Sequence, residues 1–459
     1  MNNWYKLGDY VTSSLKGITP KYVDDSNIIV LNQRCIRDNK IDFSFSQFHD
    51  ENNKFNKVKV LKEGDLLFNS TGQGTAGRCA FVRELPKNKI VITDSHILIV
   101  RIEDYFLADC FNYSFFREES LIQTLMDGST GQGELDKIRL FNIEFRLPPE
   151  KYRKSICEFL NNIDAKIEVN NKINQELEAM TKTLYDYWFV QFDFPKDVCH
   201  TERSRSASEN GVNNKINNSK GYKSSGGKMV FNEELKREIP EGWVAGTFES
   251  ISTIIGGSTP SKAISENFTV DRHMSWITPK DLSANKGNKF ITRGEWDVTD
   301  VGIKSASLKI MPNNTVLLSS RAPIGYLAIS REEVTTNQGF KSFVPKKNYS
   351  TEFVFYCVKN EIPKIEAYSS GSTFKEVSAA TLKTIYICIP EADILEEYNK
   401  ISKPIFRKQN LIELENQKLA ELRDWLLPML MNGQVSVGEG YGEDEIELGM
   451  VAEEGKKYI

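Results

Sequence analysis

Two stretches of this chain, NQELEAMTKTL (Asn174 to Leu184) and NQKLAELRDWL (Asn416 to Leu426), share their Asn, Gln, Leu and closing Leu at a constant offset of 242 residues. The offset holds upstream, where Pro148 of FNIEFRLPPE answers Pro390 of LKTIYICIPE. Looser pairs extend the match. MDGSTGQGEL (from Met126) resembles SSGSTFKEVS (from Ser369), KEGDLLFNSTG (from Lys62) resembles MPNNTVLLSSRA (from Met311), and WYKLGDYV (from Trp4) resembles WVAGTFES (from Trp243). The landmarks keep one order in both halves, so the chain must fold as two similar units. At 459 residues it is also too long for one ordinary core.

Each half reads as a mixed domain followed by a long helix. Short runs rich in β-branched and aromatic residues (IIVLNQ, DLLFNS, KIVITDSHILIVRI, TVLLSS) are broken by Gly, Asn and Pro turns. A helical stretch, LADCFNYSFFREESLIQTLM, argues against a pure sandwich. The fold class is therefore α+β: two similar domains joined by two long helices that form an antiparallel coiled coil, an internal repeat with pseudo-twofold symmetry. The expected boundaries are residues 1–149 for the first domain, 150–195 for the first helix, and 196–230 for a flexible linker rich in Ser, Asn, Gly and Lys. The second domain is expected over 231–390, the second helix over 391–432, and an acidic, disordered tail over 433–459.

Heptad spacing supports the helix pair. Ile156, Ile163, Asn170, Leu177 and Leu184 recur every seven residues, and Tyr398, Ile405, Ile412, Leu419 and Leu426 hold the equivalent places. Leu160, Ile167, Met180, Ile401 and Leu422 add to the seam. Such a seam needs a partner, and a polar Asn170 in it favours one register. The simpler alternative is that each helix packs only on its own domain. A pair this long would act as a spacer, suited to a ligand that repeats along a line, such as duplex DNA with its groove recurring every ~34 Å.

Other chemistry is sparse. The seven cysteines are scattered and never in CxxC spacing, and none of the four histidines has a second His or Cys at ligand spacing, so no structural metal is expected. No apolar run reaches the roughly 18 residues of a membrane span, and a cytoplasmic location is expected. The net charge of −4 counts against nucleic acid, but residues 433–459 carry −5 of it, leaving +1 on the rest. GYKSSGGKM is similar to a phosphate-binding loop yet has Tyr222 where the first glycine belongs and Met229 where a hydroxyl is needed.

Three longer motifs carry a family resemblance: AKIEVNNKINQELEAMTKTLYDYWFVQFDFP, SGGKMVFNEELKREIPEGW and LENQKLAELRDWLLPMLMNGQV. Together they resemble the DNA-specificity subunit of Type I restriction-modification systems, over nearly the whole chain and in the right order. The resemblance implies two target-recognition domains, each reading half of a bipartite asymmetric site in double-stranded DNA, with the helices as a ruler. It implies docking of two adenine-methyltransferase subunits and of restriction/translocase subunits. It implies no catalysis and no cofactor on this chain, with S-adenosylmethionine, ATP and magnesium on the partners. Tyr185, Tyr187, Trp188 and Phe189 match the family motif and suit either partner docking or core packing.

Base-reading residues do not carry over, because recognition loops differ between members. Chemistry alone favours polar loops: Asn69, Ser70, Thr71, Gln73 and Arg78; Ser129, Thr130, Gln132 and Lys137; Ser319, Ser320 and Arg321; Ser372, Thr373 and Lys375. Hydroxyls and amides bind phosphates, and Arg and Gln make paired bonds to purine edges. Singly, each is more often a turn or cap residue. Two other classes stay open: a coiled-coil scaffold unrelated to DNA, and a stand-alone DNA methylase or nuclease, although no [DN]PP[FYW] or PD...ExK pattern is found.

Overall fold

A computed structural model describes residues 4–37, 39–72, 74–127, 133–195, 221–369 and 376–437. The chain divides into two compact units, and neither is a continuous segment. The first joins Met1–Ile167 to Lys418–Ile459, and the second is Glu168–Gln417. The helices expected as separate spacer elements are therefore each shared out between the units.

In the first unit, an antiparallel sheet runs in the order Val11–Lys16, Ile97–Ile102, Leu66–Asn69, Cys79–Phe81. A second sheet runs Ile90–Thr93, Ile28–Leu31, Gln47–His49, Tyr22–Val23, its first pair parallel. Ile28–Leu31 and Leu66–Asn69 are buried throughout, so these strands read as unbroken apolar runs rather than alternating ones. Asp104 caps the helix Tyr105–Arg117 by accepting from the Leu107 amide. That helix buries Leu107, Phe111 and Phe115 in a core completed by Ile156, Leu160, Leu427, Leu430 and Met431.

The second unit repeats this plan. Ser252–Gly256, Phe340–Pro345, Val316–Ser319 and Leu327–Ser330 form the corresponding sheet, extended by Phe290–Ile291. Val334–Thr336 lies parallel to Met274–Ile277, as Ile90–Thr93 lies parallel to Ile28–Leu31. Trp4–Lys6 pairs with Glu144–Arg146, and Val244–Thr247 pairs with Tyr386–Ile389, so the ends of each domain are zipped together. All four strand-like stretches named from sequence contain strands.

The first long helix is continuous over Glu150–Tyr185 and the second over Ala392–Met431. No helix among the described residues is long and apolar enough to cross a membrane. Within the second unit the two run in opposite directions, for Asn170 meets Asn416 while Asn174 meets Gln409. In the first unit Arg423 bonds Asp164 at 2.7 Å. These contacts are polar. Asn170 donates to Glu415 and Asn416, both at 2.8 Å, and Asn416 donates to Asn171 at 2.8 Å. The partner of Asn170 is thus Asn416, not the Ile412 series that holds its place in the repeat.

The heptad positions divide by location. Ile156, Ile163, Asn170, Tyr398 and Ile412 are buried, and Leu177, Leu184, Ile405, Leu419 and Leu426 are half-buried. Three positions assigned to the seam do not lie in it: Met180, Ile401 and Leu422 are exposed. A strict seven-residue spacing drifts by ~20° per heptad on a straight helix, which carries such positions off the contact face.

The expected linker ends earlier than its composition indicates. Tyr222 is buried and stacks on Phe194 at 4.7 Å, and Met229–Asn232 pairs with Arg237–Pro240. One aromatic side chain supplies the burial that the Ser- and Gly-rich surroundings lack. Most of the acidic tail lies outside the described residues, and Val437 packs against the first unit's core.

Candidate nucleic-acid interface

Both domains build the same loop hub from the same backbone bonds. Ser70 donates its amide to the His96 carbonyl at 2.8 Å, and Ser320 does the same to Gly339 at 2.7 Å. The Leu135 amide reaches Ser70 at 2.8 Å, matched by Val377 to Ser320 at 2.9 Å. Ile18 bonds Thr93, and Ser258 bonds Thr336, each at 2.9 Å. Asp94 accepts from the His96 amide at 3.0 Å as Asn337 accepts from Gly339 at 2.9 Å. In each hub a glycine admits this approach: a Cβ on Gly17 would collide with the carbonyls of Thr93 and Asp94, and one on Gly257 with those of Thr336 and Asn337.

The side chains carried by this common frame differ. In the first domain Gln33 donates to the Thr71 carbonyl at 2.6 Å and hydroxyl at 2.7 Å. His96 Nδ1 lies 2.8 Å from the same hydroxyl, in roles set by the tautomer, and the ring is exposed. Burial pushes the Asp94 carboxyl above its usual range. In the second domain Arg321 is exposed and pairs through Nε with Glu376 at 3.1 Å. Lys341 stands 3.5 Å from that carboxylate and 3.3 Å from the Ser320 hydroxyl. Burial pulls the Lys341 ammonium down, opposed by Glu376.

The sequence-predicted residues sort by burial. Asn69, Ser70, Ser319 and Ser320 are buried and occupied within the frame. Asn69 donates to the carbonyls of Gln33 and Thr75, both at 3.0 Å, and the Ser319 hydroxyl donates to Pro323 at 2.8 Å. As contact residues these four are corrected to frame residues, because a polar group closing a buried strand must be satisfied internally. Thr71 and Arg321 project from the frame; Arg78 donates to the Gly74 carbonyl at 2.8 Å, and Lys137 lies over the Phe141 ring at 5.2 Å. Gln73, Ser129, Thr130, Gln132, Ser372, Thr373 and Lys375 lie outside the described residues. Sequence reasoning missed Gly17, Gln33, His96, Gly257 and Glu376. The match of KGITPK with GGSTPSK already pairs the two glycines without showing their role, and aligning VITDSH with VTTNQG would have found the turn that carries His96.

In each domain an arginine fastens the domain to the helix that follows it. Arg83 places Nε on Asn161 at 2.7 Å and a terminal nitrogen on buried Asp109 at 2.5 Å. Arg331 places Nε on Asn410 at 2.6 Å and a terminal nitrogen on buried Glu413 at 2.7 Å. Tyr185, Trp188 and Phe189 are buried in the second unit's core beside Tyr398, with Phe189 at 4.9 Å from its ring. A ring already enclosed offers no surface, so the docking assignment is corrected for these three; Tyr187 is exposed. Among the described residues no cluster of three or more His, Cys, Asp or Glu could hold a metal ion.

Two copies of one α+β domain, each presenting a different polar surface on a common frame, define a two-headed protein built for recognition. The sequence model of the Type I restriction modification DNA specificity domain matches residues 5–179 and 240–424, so the chain belongs to that family, as a non-catalytic specificity subunit carrying the domain twice. It is 38% identical over 204 residues to the Type I restriction enzyme MjaIX specificity subunit of Methanocaldococcus jannaschii, covering 44% of this chain and 46% of that one. It is 25% identical to the HindI specificity subunit of Haemophilus influenzae, over 95% of this chain and all of that one. The crystal structure of the Type I S subunit from M. genitalium shares the fold, with TM-score 0.53 and 13% identity over 94% of this chain and 97% of that chain.

Proposed function

We propose that the two domains read the two halves of an asymmetric, bipartite target in double-stranded DNA, separated by a fixed unread gap that the long helices set. The observation that carries this reading is the pair of hubs. One frame bears Thr71 with Gln33 and His96, and the other bears Arg321 with Glu376. A common frame with unlike donors would dock on the duplex in one manner and read different bases. At 1.5 Å per residue the 36-residue first helix spans about 54 Å, enough to separate two such readers.

In this reading two adenine-methyltransferase subunits dock on the helices, and restriction/translocase subunits join them in the cytoplasm. S-adenosylmethionine, ATP and magnesium belong to those partners, and this chain binds no cofactor. Selection from random duplexes by the full chain co-purified with its methyltransferase tests the proposal. A split sequence with a constant gap supports it. Salt-sensitive binding without sequence preference refutes it.

A further inference from the structure

We propose that Arg321 reads a guanine in the half-site taken by the second domain, and that Glu376 is its positioning residue. The inference rests on the DNA-reading role proposed above and names one base and one side chain within it. Arg321 follows a buried strand end, Ser319 and Ser320, whose polar groups are spent inside the frame. Its backbone pairs with that of Glu376 as an antiparallel bridge, so the two residues are fixed to each other before their side chains meet. The carboxylate then forms an ion pair with the guanidinium, Nε lying 3.1 Å from it. Among the described residues no protein group takes the two terminal nitrogens.

A guanidinium whose Nε side faces its carboxylate leaves the two terminal amino groups for one partner, the fork that matches O6 and N7 of guanine in the major groove. Lys341 strengthens the hold from the other side. Its side chain is almost wholly buried and stands by the second carboxylate oxygen of Glu376, so it anchors the carboxylate without competing for DNA. The first domain lacks this device: Thr71, at the equivalent frame position, is engaged by Gln33 and His96, and Arg78 donates to its own loop. Among the described residues, the Arg321–Glu376 device therefore belongs to one half-site.

The test is random-duplex selection with the full chain and its co-purified methyltransferase, run with wild type, R321A, R321K and E376Q. Wild type is expected to select a guanine within one half. R321A should lose roughly ten- to a hundredfold of the preference at that position and keep the rest of the site. R321K should bind with similar affinity and without the guanine preference. E376Q should weaken the same preference several-fold while its Tm stays at the wild-type value, a split that a purely structural carboxylate would not give. An unchanged guanine preference in R321A overturns the inference. So does a uniform loss across all positions with a salt slope lower by about one, the mark of a phosphate contact. Failure of wild type to select any split sequence overturns the underlying reading as well, and is thereby distinguished.

Discussion

Replacing Glu178 tests how the second unit grips the long helices. Glu178, on the first long helix, bonds Lys289 and Lys359 at 2.6 Å each. Lys289 is buried, and its ammonium also reaches Gln409 of the second long helix at 2.7 Å and lies 3.7 Å from the Phe406 ring centroid. Burial pushes the Glu178 carboxyl up, but the two ammoniums outweigh it and hold the group at about 2 instead of 4.5. A carboxyl so depressed contributes about 3 kcal/mol at neutral pH, which is lost as pH falls from about 4.5 toward 2. Burial pulls Lys289 down to about 8 from 10.5, against the pull of Glu178. That lysine costs a similar ~3 kcal/mol at pH 7, and the cost fades as pH rises from about 8 to 10.5. The pair is near balance, and removing one member is what hurts.

E178Q should therefore destabilise the second unit by about 3 kcal/mol at pH 7, because it strands a buried ammonium. The loss should shrink toward about 1 kcal/mol as pH rises through about 8, where Lys289 becomes neutral in the folded chain and no buried ammonium is left to strand. The double variant E178L/K289M should return to within about 1 kcal/mol of wild type at pH 7. Urea unfolding followed by tryptophan fluorescence reads this unit, since Trp188, Trp243 and Trp276 are buried in it. Additive losses in the double variant would refute the reasoning, and so would a penalty for E178Q that is independent of pH.

Three further outcomes follow from other sites. G17A and G257A should each lower Tm and should each weaken selection in one half-site only, measured by random-duplex selection; equal loss in both halves would count against separate hubs. A C199S variant should show no thiol reacting rapidly with Ellman's reagent under native conditions, because burial pushes Cys35, Cys79, Cys357 and Cys388 up and Cys110 and Cys157 are also buried. R331M should loosen the second domain from its helix and cost about 3 kcal/mol by stranding buried Glu413, read by the same urea titration.

The duplication was plain from the 242-residue offset, and with it the two domains and the helices. Strands such as Ile28–Leu31 and the Ile97–Val100 part of Ile97–Ile102 were legible because a strand covered on both faces is apolar without interruption. The site was legible as loops but not as residues. Asn69 and Ser319 carry the polar chemistry of contact residues, and only the tertiary structure shows that they end buried strands and spend their groups there. The fastening of Arg83 to Asn161 and of Arg331 to Asn410 joins residues 78 and 79 positions apart, with no local pattern to announce it. Tyr222 was hidden differently, as one aromatic in a stretch whose composition otherwise argues for disorder.

The heptad spacing predicts a seam that is apolar except at Asn170, and the polar contacts between the helices extend the register role of that one asparagine. An apolar seam can slip by a turn or a heptad at modest cost, because one leucine replaces another. Asn170 with Asn416, Gln409 with Glu178, and Asp164 with Arg423 have no such substitutes. A slipped register would leave buried donors and charges unpaired, at about 1 to 3 kcal/mol for each neutral group and more for each charge. Such contacts add little net stability when made, since desolvation offsets most of the attraction. Their effect is to penalise every register but one, and the proposed fixed gap needs that penalty more than it needs extra stability. N170L should on this argument leave the second unit as stable as wild type or more so, while selection should return a mixture of gap lengths in place of one. A single unchanged gap in N170L, and in N170L combined with N416L, would show that the domains' arginine anchors alone hold the register.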